Sequence, residues 1–179
     1  WTLLPSNPNN DDQGVIDNMF DVIAGEINEN EPGIILQVDS KNQIYESSLE
    51  VLGLKNKGTV TFDDILNQEV KLVFNDDYYI QNGDNFYPSF DYESLYNSEN
   101  AVTVKVQAII RGKEGQELMT NGSGYAVNKA LVDLIIFKNK DSNIVKTQMT
   151  KDYNILTNTL FDETTTKEMM LGYLGADTI

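Results

Sequence analysis

The segment over residues 101–110 constrains the fold most strongly, because apolar side chains occupy every second position along it. Five apolar residues are predicted to share one face of a strand and three polar residues to share the other: Val102, Val104, Val106, Ala108 and Ile110 against Thr103, Lys105 and Gln107. Period-two alternation is typical of a strand with one face on the core and the other in water. The sequence therefore predicts a sheet that is buried on one face only.

Two other segments carry signals for single strands. The apolar run over residues 34–38 follows a Pro-Gly turn and is reached through a polar, glycine-punctuated loop that starts at Phe20. Short apolar runs between turn formers favour a strand over a helix. Residues 69–74 again place apolar side chains at every second position, so we expect a strand with one buried face there.

A β-hairpin is predicted from residues 78–81 and 84–87, with Asn82 and Gly83 between them. The dipeptide Asn-Gly tolerates the positive φ angles of a type I′ turn, whose twist matches that of two paired strands. We therefore expect a tight turn centred on this dipeptide.

Two short helices are predicted in the first half of the chain. Residues 45–54 favour a helix with Leu49 and Leu52 on one face and Gly53 at its end. Residues 61–64 have the Thr-x-x-Asp spacing of a capping box, which predicts a single helical turn.

Three further helices are predicted in the last third of the chain. Asn128 is expected to cap the first, with Lys129 and Asp133 paired one turn apart on its surface. Ser142 and Asp162 are expected to cap the other two. The residues predicted to line one side of each helix are, in order, Ala130, Leu131, Leu134 and Ile135; Val145, Met149 and Leu156; and Met169, Met170, Tyr173 and Leu174.

The order of these elements determines the predicted fold class. A strand, a short helix, several antiparallel strands and then clustered helices predict an α+β fold, with an antiparallel or mixed β-sheet and several short helices packed on one side. A chain of 179 residues has the size of one ordinary domain. We expect a single domain over residues 15–179, preceded by an extended segment over residues 1–14 that is rich in Asn, Pro and Asp.

The charge of the chain argues against one class of partner. Thirteen Lys and Arg residues stand against 28 Asp and Glu residues, which gives a net charge of -15. A surface of this charge repels the phosphate groups of nucleic acids and the headgroups of anionic lipids. We therefore expect no nucleic-acid partner.

Two residue types that carry much of enzyme chemistry do not occur in the sequence, which contains neither Cys nor His. Their absence excludes thiol nucleophiles, disulfides, thiolate or imidazole metal sites, and Ser-His-Asp triads. The sequence also has no Gly-rich phosphate-binding pattern. We therefore predict no catalytic residue and no cofactor.

Carboxylates are the remaining groups that can support catalysis. Acids and aromatic residues are interspersed over residues 76–92: Asp76, Asp77, Asp84 and Asp91 among Tyr78, Tyr79, Phe86, Tyr87, Phe90 and Tyr92. Glycosidases use a pair of carboxylates, so this segment suits a secreted carbohydrate-active enzyme or a sugar-binding module. A hairpin with tyrosines packed across its strands and acids at its turn explains the same residues, and we favour that interpretation.

Calcium binding is a third use for the acids. The two candidate ligand sets are Asp76, Asp77 and Asp84, and Asp39, Asn42 and Glu46. Neither set reproduces the spacing of a calcium-binding loop, in which acids alternate before a glycine. A calcium-dependent adhesion module is therefore the third hypothesis, after the sugar-directed one.

Several short patterns, taken in order, resemble one family. They are the Gly-acid loop over residues 21–26, Glu31-Pro32-Gly33 with the strand over residues 34–38, Ser47-Ser48-Leu49, Val51-Leu52-Gly53-Leu54, the Val-rich strand over residues 102–110, a strand over residues 125–127 leading into the helix at Asn128, and Tyr173-Leu174-Gly175-Ala176. In this order they resemble the extracytoplasmic domain of MacB-like (FtsX-superfamily) ABC transporter permeases, in the version found in Gram-positive bacteria.

The resemblance implies a non-catalytic domain on the extracellular face of the cell membrane, as part of an integral membrane protein. Its implied partners are the membrane spans of the same permease, a cognate cytoplasmic ABC ATPase, a second permease in a dimer, and an unidentified peptide, lipid or protein ligand. In the family, ATP hydrolysis takes place on the separate ATPase subunit. The outer domain couples that hydrolysis to export or to mechanical signalling, and no family catalytic residue is carried over to this chain.

The chain given by the sequence contains no membrane-spanning stretch. Its apolar run over residues 130–137 is interrupted by Asp133 and is far shorter than the roughly 20 residues that a spanning helix needs. The N-terminus does not have the pattern of a signal peptide. The resemblance therefore leads us to expect a piece of a permease ectodomain, which in the family often continues with a further strand and helix.

Overall fold

The computed structural model describes residues 2–4, 15–66, 68–116 and 124–161. Within these ranges the helices are α1 (Val15–Met19), α2 (Glu46–Val51), α3 (Phe62–Leu66), α4 (Asn75–Tyr78), α5 (Tyr92–Tyr96), α6 (Lys129–Asn139) and α7 (Asn143–Gln148). The strands are β1 (Thr2–Leu3), β2 (Phe20–Gly25), β3 (Gly33–Val38), β4 (Glu69–Leu72), β5 (Tyr79–Asn82), β6 (Asn85–Pro88), β7 (Val102–Gly112), β8 (Gly124–Val127), β9 (Tyr153–Asn154) and β10 (Thr159–Leu160). A mixed sheet with several short helices confirms the predicted α+β class.

The chain divides into two compact units. The first comprises Trp1–Leu72 and Ala101–Phe137, and the second comprises Val73–Asn100 and Lys138–Ile179. The chain therefore leaves the first unit after β4 and returns to it just before β7. A single domain over residues 15–179 stays a prediction.

The first unit is built on a six-stranded mixed sheet. Its strands follow the order β1-β8-β3-β7-β2, and β4 also pairs with β7. The central pair, β3 and β7, is parallel, and so is the pair of β1 and β8. Strands β2 and β4 run antiparallel to β7, and β8 runs antiparallel to β3. On one face of this sheet the core includes leucines and isoleucines from α2, α3 and α6 and from the loops beside them.

The sheet is buried on both faces, so the predicted one-sided sheet is wrong. Ile34 pairs with Val106 and Ile35 pairs with Ala108, which leaves Gln107 as the extra residue of a β-bulge in β7. Before the bulge Val106 packs into one core, but after it Ala108 and Ile110 pack into a second core on the opposite face. The prediction failed because one inserted residue reverses the alternation of every later side chain.

Strand β2 replaces part of a predicted loop. Residues 20–25 pair antiparallel with β7, from Phe20 opposite Gly112 to Gly25 opposite Ala108. Phe20 is buried in the second core. Pairing with a strand that lies far along the sequence, together with burial of Phe20, outweighs the loop-forming tendency of the Asp and Gly residues in this segment.

Helix α2 confirms the helix predicted over residues 45–54, and Leu49 and Leu52 contact the core on its side of the sheet. Gly53 adopts a φ of 70°, and the amide of Leu54 donates to the carbonyl of Leu49 at 2.8 Å. This left-handed glycine ends the helix as predicted.

A side chain of β8 also contacts this helix. The Tyr125 hydroxyl donates to the carbonyl of Ser48, and burial raises the pKa of Tyr125 to about 12.

The capping box at α3 is confirmed. The backbone amide of Thr61 donates to Asp64 Oδ2 at 2.9 Å, and the amide of Asp64 donates to Thr61 Oγ1 at 3.3 Å. Lys57 also donates to the Asp64 carboxylate. The hydrogen bond from Lys57, followed by those from Thr61, lowers the pKa of Asp64 to about 2.

We predict that the stability of the protein depends on the charge of Asp64 in strongly acidic solution. The pKa of this group is lower in the folded state than its ordinary value of 3.8, so its contribution is complete above about pH 4 and is lost as the pH falls towards 2. The difference in urea midpoint between the wild type and Asp64→Asn should therefore be largest at pH 6 and should shrink steadily as the pH falls from about 4 to 2. A Glu29→Gln variant, which changes an exposed loop acid, serves as the control; a pH-independent difference for Asp64→Asn would contradict the prediction.

Helix α6 confirms the predicted cap and part of the predicted stripe. Asn128 Oδ1 accepts a hydrogen bond from the amide of Leu131 at 3.0 Å, and Lys129 pairs with Asp133. Leu131 is fully buried, whereas Ile135 is 37% exposed, so the inclusion of Ile135 in the core-facing stripe is wrong. Leu131 lies in the core and Leu134 packs against it, so these two residues are the part of the predicted stripe that contacts the core.

The second unit contains the predicted hairpin with a different turn. Asn82 pairs with Asn85, so the loop residues are Gly83 and Asp84 rather than Asn82 and Gly83. Gly83 has a φ of 63°, and glycine at the first loop position is typical of a type II′ turn. The glycine still takes the left-handed position, and the strand register places it one residue earlier in the turn than we predicted.

Helix α7 begins after Ser142 as predicted, but the Ser142 side chain makes no capping hydrogen bond. The helix ends at Gln148, so the predicted continuous side of Val145, Met149 and Leu156 is wrong. Met149 is 82% exposed. The short β9–β10 hairpin follows and brings Ile155 onto Phe86 and Ile144 in a small core of the second unit. The helix predicted to start at Asp162, with its Met169, Met170, Tyr173 and Leu174, lies outside the described residues.

Candidate functional site

The first unit contains an open recess beside β7. The loop between β2 and β3, residues 26–32, forms one wall, and residues 102–107 form the other, with Leu66 between them. The recess has a volume of about 940 Å³. It is large enough for a small ligand or a few residues of an extended peptide.

One buried amide holds the loop in place. Asn128, only 2% exposed, donates from Nδ2 to the carbonyls of Asn28 at 2.9 Å and Glu31 at 2.7 Å. Its Oδ1 accepts from the amide of Gly33 at 3.2 Å as well as from the first turn of α6. The side chain therefore connects the loop, the start of β3 and the start of α6.

The residue at the bulge, Gln107, supports the loop from the other side. Its Nε2 donates to the carbonyl of Glu31 at 3.0 Å, and its Oε1 accepts from the amide of Asn28 at 3.3 Å. A Cβ added to Gly33 would lie 2.0 Å from Gln107 Cδ, so the approach of this amide requires a glycine there. Both amides have their polar atoms satisfied, which makes the loop a pre-formed wall.

The wall carries negative charge towards solvent. Glu26, Glu29 and Glu31 are all exposed and line the recess. The cation on the opposite wall, Lys105, lies 3.3 Å from Glu69. Three exposed carboxylates next to fixed amides can attract a cationic or hydrogen-bonding group, and their exposure to water is unlike the enclosed setting in which carboxylates act as general acids.

The acids predicted as a possible catalytic or calcium-binding set have separate partners. Asp76 Oδ1 accepts from the amide of Asn143 at 2.8 Å, and Asp77 accepts from Ser98 Oγ at 2.6 Å. Lys151 donates to Asp84 in the hairpin turn, and this contact raises the pKa of Lys151.

The fourth acid of the segment, Asp91, caps α5. It accepts from the Ser94 amide at 3.1 Å and from Ser94 Oγ at 2.7 Å, and the hydroxyl first and the amide second lower the pKa of Asp91. The four acids of residues 76–91 therefore stabilise four local structures.

The second candidate calcium set belongs to a turn after β3. Asp39 Oδ1 accepts from the amides of Lys41 at 2.8 Å and Gln43 at 2.7 Å, and Asn42 has a φ of 61°. The third member of the set, Glu46, instead forms an ion pair with Lys55, with Oε1 and Nζ 3.8 Å apart. Among the described residues, no group of three or more Asp and Glu side chains is arranged to hold a metal ion.

The aromatic residues of the same segment are less packed than predicted. Tyr78 and Tyr79 make an edge contact with ring centroids 4.9 Å apart, and Phe86 is buried. Tyr87 is 54% exposed, so the predicted packing of tyrosines across the hairpin is wrong for this residue, and Tyr92, which lies on α5 outside the hairpin, is 70% exposed. Residue 87 lies opposite Ile80 on the solvent face of the hairpin, which explains why it finds no aromatic partner there.

Sequence reasoning missed the residues that build the recess. Gln107 fits the alternation of β7, so nothing in the local pattern marks it as a bulge. Asn128 was predicted only as a helix cap. The one usable signal was the polar run over residues 28–31, Asn-Glu-Asn-Glu, which is unusually acidic for a connection between two buried strands.

Comparison with protein-family models, with curated proteins and with solved structures finds no match. Over the described part of the chain, none of the helices is both long and apolar enough to cross a membrane.

Proposed function

We propose that this chain is a non-catalytic extracellular domain of an ABC transporter permease, located on the outer face of the cell membrane as part of an integral membrane protein. It couples ATP hydrolysis by a cytoplasmic ATPase to export or mechanical signalling by binding a substrate or partner outside. The recess between the loop over residues 26–32 and β7 is the surface that we assign to this binding.

The order of elements supports the family part of the proposal. Of the residues that carry the resemblance, those in the described ranges fall on β2, β3, α2, β7 and β8, although most of the Gly-acid loop of the resemblance is here the strand β2. The Gly-acid pattern at Gly25 and Glu26 occurs where β2 ends and the wall of the recess begins. Two of the patterns, the one at residues 25–26 and the one in β7, therefore border the recess.

One observation carries the binding part of the proposal: the acidic wall is pre-formed. Gln107 and Asn128 hold the loop through its backbone, which leaves the carboxylates of the loop free to face a ligand. Pre-organised polar groups reduce the ordering cost of binding. The acids of residues 76–91, in contrast, are used by local structure, which weighs against a carbohydrate-active enzyme.

The proposal predicts where an introduced thiol is labelled in intact cells. The chain has no Cys, so Glu29→Cys in the full gene product provides a single reporter within this segment. A membrane-impermeant maleimide should label it without lysis, and the labelled protein should stay with the membranes after a carbonate wash. Ala126→Cys, at a buried position, is the control and should react only after denaturation. Labelling only after lysis, or recovery of the protein in the culture medium, would contradict the proposal.

A further inference from the structure

The second unit exposes a set of large apolar side chains that we call the aromatic face. Its members are Ile80, Tyr87, Phe90, Tyr92 and Tyr96, which are 57%, 54%, 76%, 70% and 61% exposed. Single exposed apolar residues are ordinary, but five large ones within residues 80–96 are more than an ordinary surface exposes, and such a group indicates an interaction surface.

The backbone brings these residues together in two pairs. Ile80 and Tyr87 are direct partners across the β5–β6 hairpin and therefore share one face of it. Tyr92 and Tyr96 are one turn apart on α5, and so lie on the same side of that helix. Phe90 lies in the short connection between β6 and α5.

The segment that carries the aromatic face is acidic. Residues 73–100 contain six acids and no Lys or Arg. Asp91 and Glu93 flank Tyr92 directly. One of these acids, Asp84, pairs with Lys151 at the hairpin turn.

We propose that the aromatic face binds a Lys- or Arg-bearing peptide segment of a partner protein. Aromatic rings attract cations through their negative faces, and nearby carboxylates add to the same attraction. The second unit already contains one such contact, because Lys138 Nζ lies 5.6 Å from the centroid of the Phe74 ring. A neutral apolar partner would gain nothing from the acids, and a polyanion would be repelled by them.

This inference concerns a surface other than the recess, and it stands whether or not the chain belongs to a permease. It names the chemistry of the partner: a cationic segment with side chains long enough to lie over a ring while their charges reach a carboxylate. Arginine suits the position best, since its planar guanidinium stacks on rings and bonds carboxylates in the same plane.

The test is a fluorescence-anisotropy titration of the whole 179-residue chain with a labelled dodecapeptide of repeated Lys-Gly-Arg. The double variant Phe90→Ala with Tyr92→Ala keeps every charge and should weaken binding about tenfold, because two exposed cation–π contacts are removed. Binding should also weaken as the salt concentration is raised from about 50 to about 300 mM, because the electrostatic screening length then falls to less than half. Tyr45→Ala, at an equally exposed tyrosine of the first unit, is the matched control and should bind as the wild type does.

Two further measurements distinguish contacts with the aromatic rings from attraction by net charge and from sugar binding. Phe90→Leu with Tyr92→Leu keeps apolar bulk but removes the rings, and it should weaken binding to a similar extent. Equal affinity of the wild type and both double variants would show attraction by net charge alone and would overturn the inference. So would binding of a neutral oligosaccharide such as cellohexaose that is lost in the double variants and is insensitive to salt, because that result would assign the face to sugars.

Discussion

Replacing Gly25 by alanine is expected to lower the free energy of unfolding by about 3 kcal/mol, from a left-handed backbone penalty and a steric clash together. Gly25 has a φ of 74°, and an added Cβ would lie 2.1 Å from the backbone oxygen of Gln107 and 3.0 Å from the Cα of Ala108. These neighbours are backbone atoms of the bulge in β7, so they cannot move aside as a side chain would. Urea unfolding followed by circular dichroism measures the loss.

Gly53→Ala is the matched control for this variant. Gly53 has a φ of 70°, but an added Cβ would meet no atom within 4 Å. It should therefore show only the backbone penalty, about 1 kcal/mol. Equal losses of unfolding free energy in the two variants would contradict the close approach of Gly25 to the backbone of the bulge.

Replacing Asn128 by alanine is expected to lower the free energy of unfolding by about 3 kcal/mol, because a helix cap and several buried hydrogen bonds are lost together. The change leaves the buried amide of Gly33 without its partner and the carbonyls of Asn28 and Glu31 without the amide that binds both. Hydrogen exchange should speed up most at the amide of Gly33 and in the loop over residues 26–32. The variant should therefore be both less stable and less ordered around the recess.

Asn30→Ala is the control for the Asn128 variant, because Asn30 is an exposed residue of the same loop whose backbone amide, and not its side chain, makes the described hydrogen bond. It should change the free energy of unfolding by less than about 0.5 kcal/mol. Fast exchange confined to α6 in Asn128→Ala, with the loop unaffected, would contradict the role of Asn128 in holding the recess.

Local signals account for the parts of the fold that were predicted from the sequence. The capping box needs only Thr61 and Asp64, and the end of α2 needs only Gly53. The β3 strand follows from a short apolar run between turn formers. In each case the physical cause lies within about one helical turn or one strand, so the sequence contains it in full.

The recess could not be predicted because its causes are far apart along the chain. Asn128 binds the carbonyl of Asn28 across 100 residues, and Gln107 binds that of Glu31 across 76. The bulge itself depends on the register between β3 and β7, and Gln107 keeps the polar alternation that an unbulged strand would have. Strand β2 was missed for the same reason, since its pairing partner is on β7 and its own apolar run is short.

The exposed tyrosines show a second limit of what the sequence alone can predict. Alternation in the hairpin indicates which residues share a face, but it does not indicate which face is covered. Phe86 contacts Ile144 and Ile155, which come from a later part of the chain, and that contact turns Tyr87 to solvent. The aromatic face is therefore a consequence of where the second unit places its small core.

The central claim, a non-catalytic domain that serves an ATP-driven permease, is tested most directly by the ATP hydrolysis of the intact gene product purified from membranes together with its bound subunits. The account predicts a copurifying ATPase subunit whose turnover requires the membrane-embedded complex, while the 179-residue chain alone turns over neither ATP nor glycans. Purification of the intact product without an ATPase, together with glycan hydrolysis that is lost on neutralising one of the acids in residues 76–91, would contradict it.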